Sequence, residues 1–530
     1  MTLLQSVLLG ILPILCCLVY CTMQGRSIGE VYLPGSEWND ELFYYKQVES
    51  IVQFGYPQGY YGFNESHALK LSFAAWSPVL VFPWIIWGLL FGWNLMSPVI
   101  CNIVLMTLAC VLFVWLVRPS WKQQGILTLL FCLYTPFVRY MLSVMPEVIC
   151  FSILIIFYAL AINYQRREKV YKLVLLFVIS GLMTLMRPYC LLFMLLPCFF
   201  WIRKNKWKGV AGSVVVFGAV MGIYAAIKHY LGAEYFAPLF FTDWVQAFFD
   251  GGVFEGIRYT LGKLYYMGLD FISHTRRGFE YGLASGAFFA GFLVCMLVLL
   301  GQSFADYRKL RKSDVAGNGK KRRLFPRRDA DRTLADWLVV EAHLALSFVA
   351  MLFALLLMYK LTEGSKHLLT FMAVAVFIIA LMDTRFFKKA VLVGVTFAYF
   401  YTVMAVDPYD YQVPFRESNR VAVVEQWQEE LPDKLVLTGD EVPNYDNVVI
   451  WCFSDMVDGK SVNTAWQLLY ALPEGFGISC CMPDYVKENF SELQSKYLCV
   501  VRGGDIEARC EQAGYSKVIQ SEDTVIYQRY

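Results

Sequence analysis

Two adjacent carboxylates, Asp40 and Glu41, stand in the run Glu37-Trp38-Asn39-Asp40-Glu41-Leu42-Phe43-Tyr44-Tyr45, and a third, Glu147, follows proline in Ser143-Val144-Met145-Pro146-Glu147. A carboxylate beside bulky aromatics can act as general base on a hydroxyl nucleophile. It can also ligate a hard divalent cation such as Mg or Mn, for which Asp40 and Glu147 are the candidate ligands. Both sites read equally as helix-start chemistry: an N-cap with first-turn acids for a helix beginning near Leu42, and Pro-Glu opening a helix at 147. Spacing alone leaves both readings open. Cationic partners are available at Arg139, Arg187, Lys360, Lys366 and His367. As a set they could hold a phosphate, while each taken singly could snorkel to lipid headgroups.

The elements that must position these residues are membrane spans. Of the 530 residues, 58% are hydrophobic and 17% charged, and the mean hydropathy is +0.48. That composition leaves too little polar surface to cover a soluble globule. Charge-free windows recur from Leu3 to Val406, each about the 17–25 residues that cross a bilayer, and cease after Asp407. Leu3 to Met23 has no basic flank before it and no A-x-A-like site after it, and reads as the first span. Basic clusters at 118–122, 166–172, 203–208, 308–332 and 385–389 belong on the cytoplasmic side by the positive-inside rule. They report topology, and no nucleic-acid partner is expected.

Parity then predicts eleven crossings: Leu3 to Met23, Met96 to Val117, 125–138, 147–164, a two-armed hairpin over 173–202 broken at Arg187-Pro188, 210–228, 280–304, 338–359, 367–383 and 390–406. The N-terminus is cytoplasmic and the C-terminus outside. Each hairpin arm of about 14 residues spans roughly 21 Å, so its Arg187 tip should sit below the outer surface. Ala74 to Gly92, with Pro78, Pro83, Trp76, Trp84 and Trp87, reads as an interfacial segment where indole rings favour the headgroup level. Tyr230 to Gly278 reads as one or two interfacial amphipathic helices.

The expected fold class is therefore an all-α polytopic membrane domain over 1–406 and a small extracytoplasmic α/β domain over 407–530. In the tail, Leu435-Val-Leu, Val448-Val-Ile-Trp, Tyr497-Leu-Cys-Val-Val and Thr524-Val-Ile-Tyr read as strands. Ser418 to Glu430 and Asp505 to Ala513 read as helices. Arg502-Gly503-Gly504-Asp505 reads as a strand-to-helix turn, since the GxGxxG and GxxxxGK[ST] phosphate loops are absent. Of the 15 cysteines, the five in the tail (Cys452, Cys480, Cys481, Cys499, Cys510) have no zinc-type spacing and predict no disulfide framework. Asn64-Glu65-Ser66 and Asn489-Phe490-Ser491 fit a glycosylation pattern.

Several motifs in order resemble the GT-C superfamily of polytopic, lipid-dependent glycosyltransferases, which includes the protein O-mannosyltransferases and the lipid A aminoarabinose transferase. They are an Asp-Glu pair followed by Tyr-Tyr in the first outer loop, a Trp- and Pro-rich segment ending in Phe91-Gly92, Pro146-Glu147 in the second outer loop, the Arg187-Pro188 hairpin, and a late Gly364-Ser365-Lys366-His367-Leu368-Leu369. The resemblance covers the chain from the first span to about Val406. It implies a polyprenyl-phosphate- or diphosphate-linked sugar donor in the cell membrane, and an extracytoplasmic glycan, lipid or protein acceptor. Asp40 with Glu41 would match the acid that activates the acceptor or binds a divalent metal, and Glu147 the second-loop acid. Arg187, Lys366 and His367, with Arg139 on the same face, would stand near the donor phosphate. Lysine at 366 replaces the arginine of many relatives and loses its bidentate fork, and Trp76-Ser77-Pro78-Val79-Leu80 replaces a Pro-Pro-Leu pattern. A lipid-linked saccharide transporter or flippase, which should show inverted repeats, and a polysaccharide polymerase or ligase are the alternatives.

Overall fold

The computed structural model describes residues 2–36, 39–55, 61–67, 77–134, 136–231, 241–281, 297, 299–312, 332–359, 361–381, 413–416, 419–438 and 444–530, without the side chains of 39, 61–63, 66–67, 133, 271–272, 274–281, 332–337, 361–366 and 419–420. Prolines set the starts of several helices: Pro13 in Leu12–Met23, Pro98 in Ser97–Val117 and Pro188 in the short 3-10 turn Pro188–Cys190. A residue without an N–H costs nothing in a first turn, where that donor has no partner. Five described helical segments are long and apolar enough to cross a membrane: Thr2–Met23, Ser97–Val117, Glu147–Arg166, Pro188–Leu231 and Leu338–Met358. Pro78–Phe91, Val170–Met186 and His367–Leu381 are shorter and apolar. The first span lies so close to Ser97–Val117 that a Cβ on Gly10 would meet the Val111 side chain at 2.7 Å.

The predicted hairpin forms. Val170–Met186 leads to Arg187, which is extended (φ −141°, ψ 118°) because the following proline disfavours the helical region. The chain re-enters a helix over Leu191–Leu231. That helix is interrupted at Lys206 (φ 48°, ψ −120°). Beyond it the chain doubles back, since a Cβ on Gly212 would strike the Trp201 ring at 2.2 Å although eleven residues separate them. Arg203 to Lys208 thus turns the chain between two arms, as the basic cluster predicted. Asp243–Tyr281 is likewise two helices folded at Gly252 (φ 75°), with Lys263 bonded to Asp243 at 2.7 Å.

Three expectations change. The crossing placed at 125–138 is split into Trp121–Leu133 and Pro136–Met141, because Pro136 cannot continue the preceding helix. Trp84 is not an interfacial indole: it is fully buried and donates to Asn102 Oδ1 at 2.9 Å, while the Asn102 amide donates to the Ser143 carbonyl at 2.8 Å. Leu435-Val-Leu is not a strand, since only Leu435 is buried there and Val436 is 66% exposed. The crossings at 280–304 and 390–406 lie largely or wholly outside the described residues, as does the 406/407 division.

The tail forms an α/β sheet in the order β2-β1-β6-β3-β7-β9-β8. Its strands are β3 (Val448–Cys452), β6 (Gly477–Cys481), β7 (Tyr497–Val501), β8 (Ser516–Gln520) and β9 (Thr524–Gln528), with β4 (Ser454–Val457) and β5 (Lys460–Asn463) as a separate hairpin. Every residue of β3, β6 and β7 is buried. Parallel strands covered on both faces read as continuous apolar runs.

The remaining two strands come from the first long loop. β1 (Tyr61–Phe63) runs parallel to β6 and pairs with β2 (Ser66–His67) across Asn64 and Glu65, both at positive φ. The Glu65 carboxylate accepts the backbone N–H of Gln494 at 2.8 Å and of Ser495 at 2.6 Å, and the Ser495 hydroxyl at 2.8 Å. The tail is therefore sewn to the membrane body by sheet pairing. Hydrogen bonds to a charged acceptor contribute about 1.5–3 kcal/mol each. Glu65→Ala should lower the unfolding free energy of the sheet by roughly 2–4 kcal/mol, read as an earlier chemical-denaturation midpoint and faster proteolysis; an unchanged midpoint would show that this latch carries no stability.

Candidate functional site

Helix Asn39–Phe54 begins at the residues that sequence singled out, with Asp40 and Glu41 in its first turn. Its two acids have different fates. Asp40 is partly exposed, whereas Glu41 is fully buried. Glu41 Oε1 accepts from Arg139 Nη2 at 3.1 Å and from the Ser36 hydroxyl at 3.2 Å, and Oε2 accepts from the Val144 N–H at 3.3 Å. Burial pushes the Glu41 carboxyl above the usual carboxylate range, while Arg139, the Val144 N–H and Ser36 pull it back. Glu41 and Arg139 thus join the first loop to the short helix Pro136–Met141.

Glu147 makes the second ion pair. It opens helix Glu147–Arg166, is fully buried, and its Oε1 accepts from Arg187 Nη2 at 2.7 Å. Arg187, at the hairpin tip, is itself fully buried. Its Nη1 donates to the Tyr189 hydroxyl and to His367 Nδ1, both at 3.1 Å, and the Tyr189 hydroxyl lies 3.3 Å from that same nitrogen. Arginine cannot accept, so Nδ1 carries no proton and His367 is the neutral Nε2–H tautomer. Glu147 Oε2 is buried without a hydrogen-bond partner.

Tyr44 lies one turn after Asp40 on the same helix. Burial raises its hydroxyl well above the ordinary tyrosine range, with Arg187 opposing and Asp40 and Glu147 adding to the shift. Asp40, Glu147 and Arg187 are thus within electrostatic reach of one tyrosine, and His367 joins the group through its bond to Arg187. Lys366 precedes His367 on helix Leu361–Leu381, but its side chain lies outside the described ones, as does Lys360.

Two tyrosines, Tyr189 and Tyr470, were missed from sequence, and Tyr44 was read only as part of a motif. Tyr189 and Tyr44 had a local signal, being two residues past Arg187 and four past Asp40 on a helix. Tyr470 had none. It belongs to the 3-10 turn Trp466–Ala471 of the tail, packs against Tyr45 with ring centres 5.5 Å apart and planes tilted by 50°, and lies within electrostatic reach of Glu41. Gln467 of the same turn donates to the Ser36 carbonyl at 3.4 Å. Tail residues thus border the first-loop acid.

Among the described residues no three His, Cys, Asp or Glu side chains form a metal-type group. Mg is commonly held by one or two carboxylates together with substrate phosphates and water. Glu147 Oε2, buried without a hydrogen-bond partner, is a carboxylate atom of that kind. Arg502-Gly503-Gly504-Asp505 is a strand-to-helix turn: Asp455 Oδ2 already accepts the Ile506 N–H at 2.7 Å at the start of helix Asp505–Gln512, and Glu507 bonds the Gly503 N–H at 2.5 Å. A protein carboxylate fills the place an anion would take.

Removing one member of a buried ion pair leaves an uncompensated group, at a cost of about 3–5 kcal/mol, while removing both is often nearly neutral. Arg139→Met should therefore lower the thermal midpoint in detergent sharply, and Arg139→Met with Glu41→Gln should recover most of the loss. Additive losses would contradict the pairing.

No protein-family model and no curated protein matches the chain. Solved structures do. The oligosaccharyltransferase of Archaeoglobus fulgidus in its apo form matches at 14% identity with a TM-score of 0.50, over 94% of this chain and 69% of that one. ArnT from Cupriavidus metallidurans matches over 98% of this chain and 97% of its own, at 11% identity with a TM-score of 0.42 in the apo state. Its undecaprenyl phosphate complex matches at 10% identity with a TM-score of 0.43. At 14% identity the likeness to the oligosaccharyltransferase concerns the fold alone, and the chain shares the fold of that protein.

Proposed function

We propose that the protein is an integral membrane glycosyltransferase that moves a sugar from a polyprenyl-phosphate or -diphosphate donor to an acceptor hydroxyl on the extracytoplasmic face. The observation that supports this reading is the buried Glu147–Arg187–His367 cluster, with Tyr44 in electrostatic reach of Arg187, Glu147 and Asp40. Buried ionisable groups at one end of a membrane body are costly and mark function by default.

In this reading the acceptor hydroxyl attacks the anomeric carbon while Asp40 takes its proton. The bond from that carbon to the phosphate oxygen breaks, and the electron pair leaves with the phosphate. Arg187 and Lys366 supply fixed positive charge where negative charge builds, and the Nε2–H of His367 is a further donor. Arg187 is charge-balanced by Glu147 in the described state, so an arriving phosphate would compete with that carboxylate for the guanidinium. Asp40 and Glu147 are the residues that would hold a divalent cation, which would neutralise part of the phosphate charge. Glu41 and Arg139 act as positioning residues that fix the start of the helix carrying Asp40.

The test is transfer from defined polyprenyl-linked sugars by the purified protein. Loss of a general base typically costs 10²–10⁴-fold, so Asp40→Asn should lower kcat by about that factor, and Glu147→Gln should also reduce it. Full activity in both variants would refute the site assignment.

A further inference from the structure

Two buried charged side chains of helix Asn39–Phe54, Lys46 and Glu41, are bonded inside the protein. Lys46, 2% exposed, bonds Glu49 at 2.6 Å and the Leu472 carbonyl at 2.8 Å, and Glu41 bonds Arg139, Ser36 and Val144. Gln47 is also 2% exposed, yet neither its Oε1 nor its Nε2 has a hydrogen-bond partner. A buried amide with neither half paired is rare and calls for an explanation. Its position on the helix supplies one. Asp40, Tyr44 and Gln47 follow at i, i+4 and i+7 and form one stripe. At 1.5 Å per residue Gln47 stands about 4.5 Å beyond Tyr44 and about 10 Å beyond Asp40 along the axis. The stripe that carries the proposed base, and the tyrosine in electrostatic reach of Arg187 and Glu147, thus ends in an unused donor and an unused acceptor.

We propose that Gln47 is a specificity-determining residue whose amide takes a hydroxyl of the donor's sugar; this rests on the glycosyl-transfer reading of the site. A hydroxyl both donates and accepts, and an amide offers the complementary pair. A phosphate has no hydrogen to give Oε1, and a polyprenyl chain would leave both amide atoms unpaired. A polyhydroxylated ring satisfies both.

Thermal denaturation of the full-length protein in detergent tests this with two probes, a polyprenyl-phosphate hexose and the same polyprenyl phosphate without its sugar. The sugar-bearing probe should raise the wild-type midpoint more than the bare phosphate does. Gln47→Leu should keep or raise the ligand-free midpoint, keep the shift given by the bare phosphate, and lose the sugar-dependent increment, with affinity for the hexose probe down at least about tenfold; Gln47→Met should behave alike. Three results would overturn the proposal: no sugar-dependent increment in the wild type, an increment retained in the Leu variant, or a fall in the ligand-free midpoint of both variants, which marks a structural role. Transfer assayed in parallel separates the two readings. Wild type without transfer, but with an increment that Gln47→Leu abolishes, removes the glycosyltransferase reading and keeps sugar recognition. Transfer unchanged in Gln47→Leu, with its increment retained, does the reverse.

Discussion

A carboxylate removed from water has to be met by donors of the protein's own, and two such carboxylates, Glu41 and Glu147, organise this end of the molecule. Each is fully buried and each is met by an arginine from a distant segment, Arg139 for the first and Arg187 for the second. Taking the charges out of water costs several kcal/mol per ion, so such pairs are weak sources of stability. What they impose is geometry. Glu41 can be satisfied only if helix Asn39–Phe54 starts beside Pro136–Met141, and Glu147 only if the hairpin tip reaches the start of Glu147–Arg166. The position of Asp40, one residue before Glu41, follows from the first requirement, and that of His367 from the second.

The first-loop helix works on two sides at once. Tyr44 lies in electrostatic reach of Arg187, Glu147 and Asp40, and meets Trp84 edge-on with ring centres 6.4 Å apart. Tyr45 packs between Trp93 and Tyr470 at 5.4 and 5.5 Å, and Lys46 reaches the Leu472 carbonyl. With β1 and β2 inserted at the edge of the tail's sheet, the loop that bears the candidate base is shared by both parts of the chain. The tail is consequently part of what holds the site, and Tyr470 and Gln467 stand next to the first-loop acid.

Sequence made the membrane body legible because span length, proline positions and basic clusters are local properties. The reversal at Lys206, the extended Arg187 before Pro188 and the helix opening at Glu147 all followed from them. The parallel strands β3 and β7 showed as short apolar runs, but β6 (Gly477–Cys481) did not, because its Gly-Ile-Ser-Cys-Cys has neither length nor alternation. The pairing of β1 with β6 joins residues more than four hundred positions apart, and nothing local to Tyr61–Phe63 announces it. Partner choice within the site was hidden for the same reason. Arg139 and Arg187 looked alike as phosphate holders, and only the fold shows that one is bonded to Glu41 while the other links Glu147, Tyr189 and His367. Trp84 misled because an indole can serve the headgroup region or an internal acceptor equally well, and Asn102 decides it here.

In the proposed reaction Arg187 and the groups around it receive the donor phosphate while Asp40 faces the acceptor. An experimentally determined structure of the protein with a bound polyprenyl phosphate tests this most directly. The account predicts the phosphate within hydrogen-bond reach of the Arg187 guanidinium, with the Glu147–Arg187 contact loosened or shared and Asp40 on the same side. A phosphate seated elsewhere, with the Arg187–Glu147–His367 contacts unchanged, would contradict it.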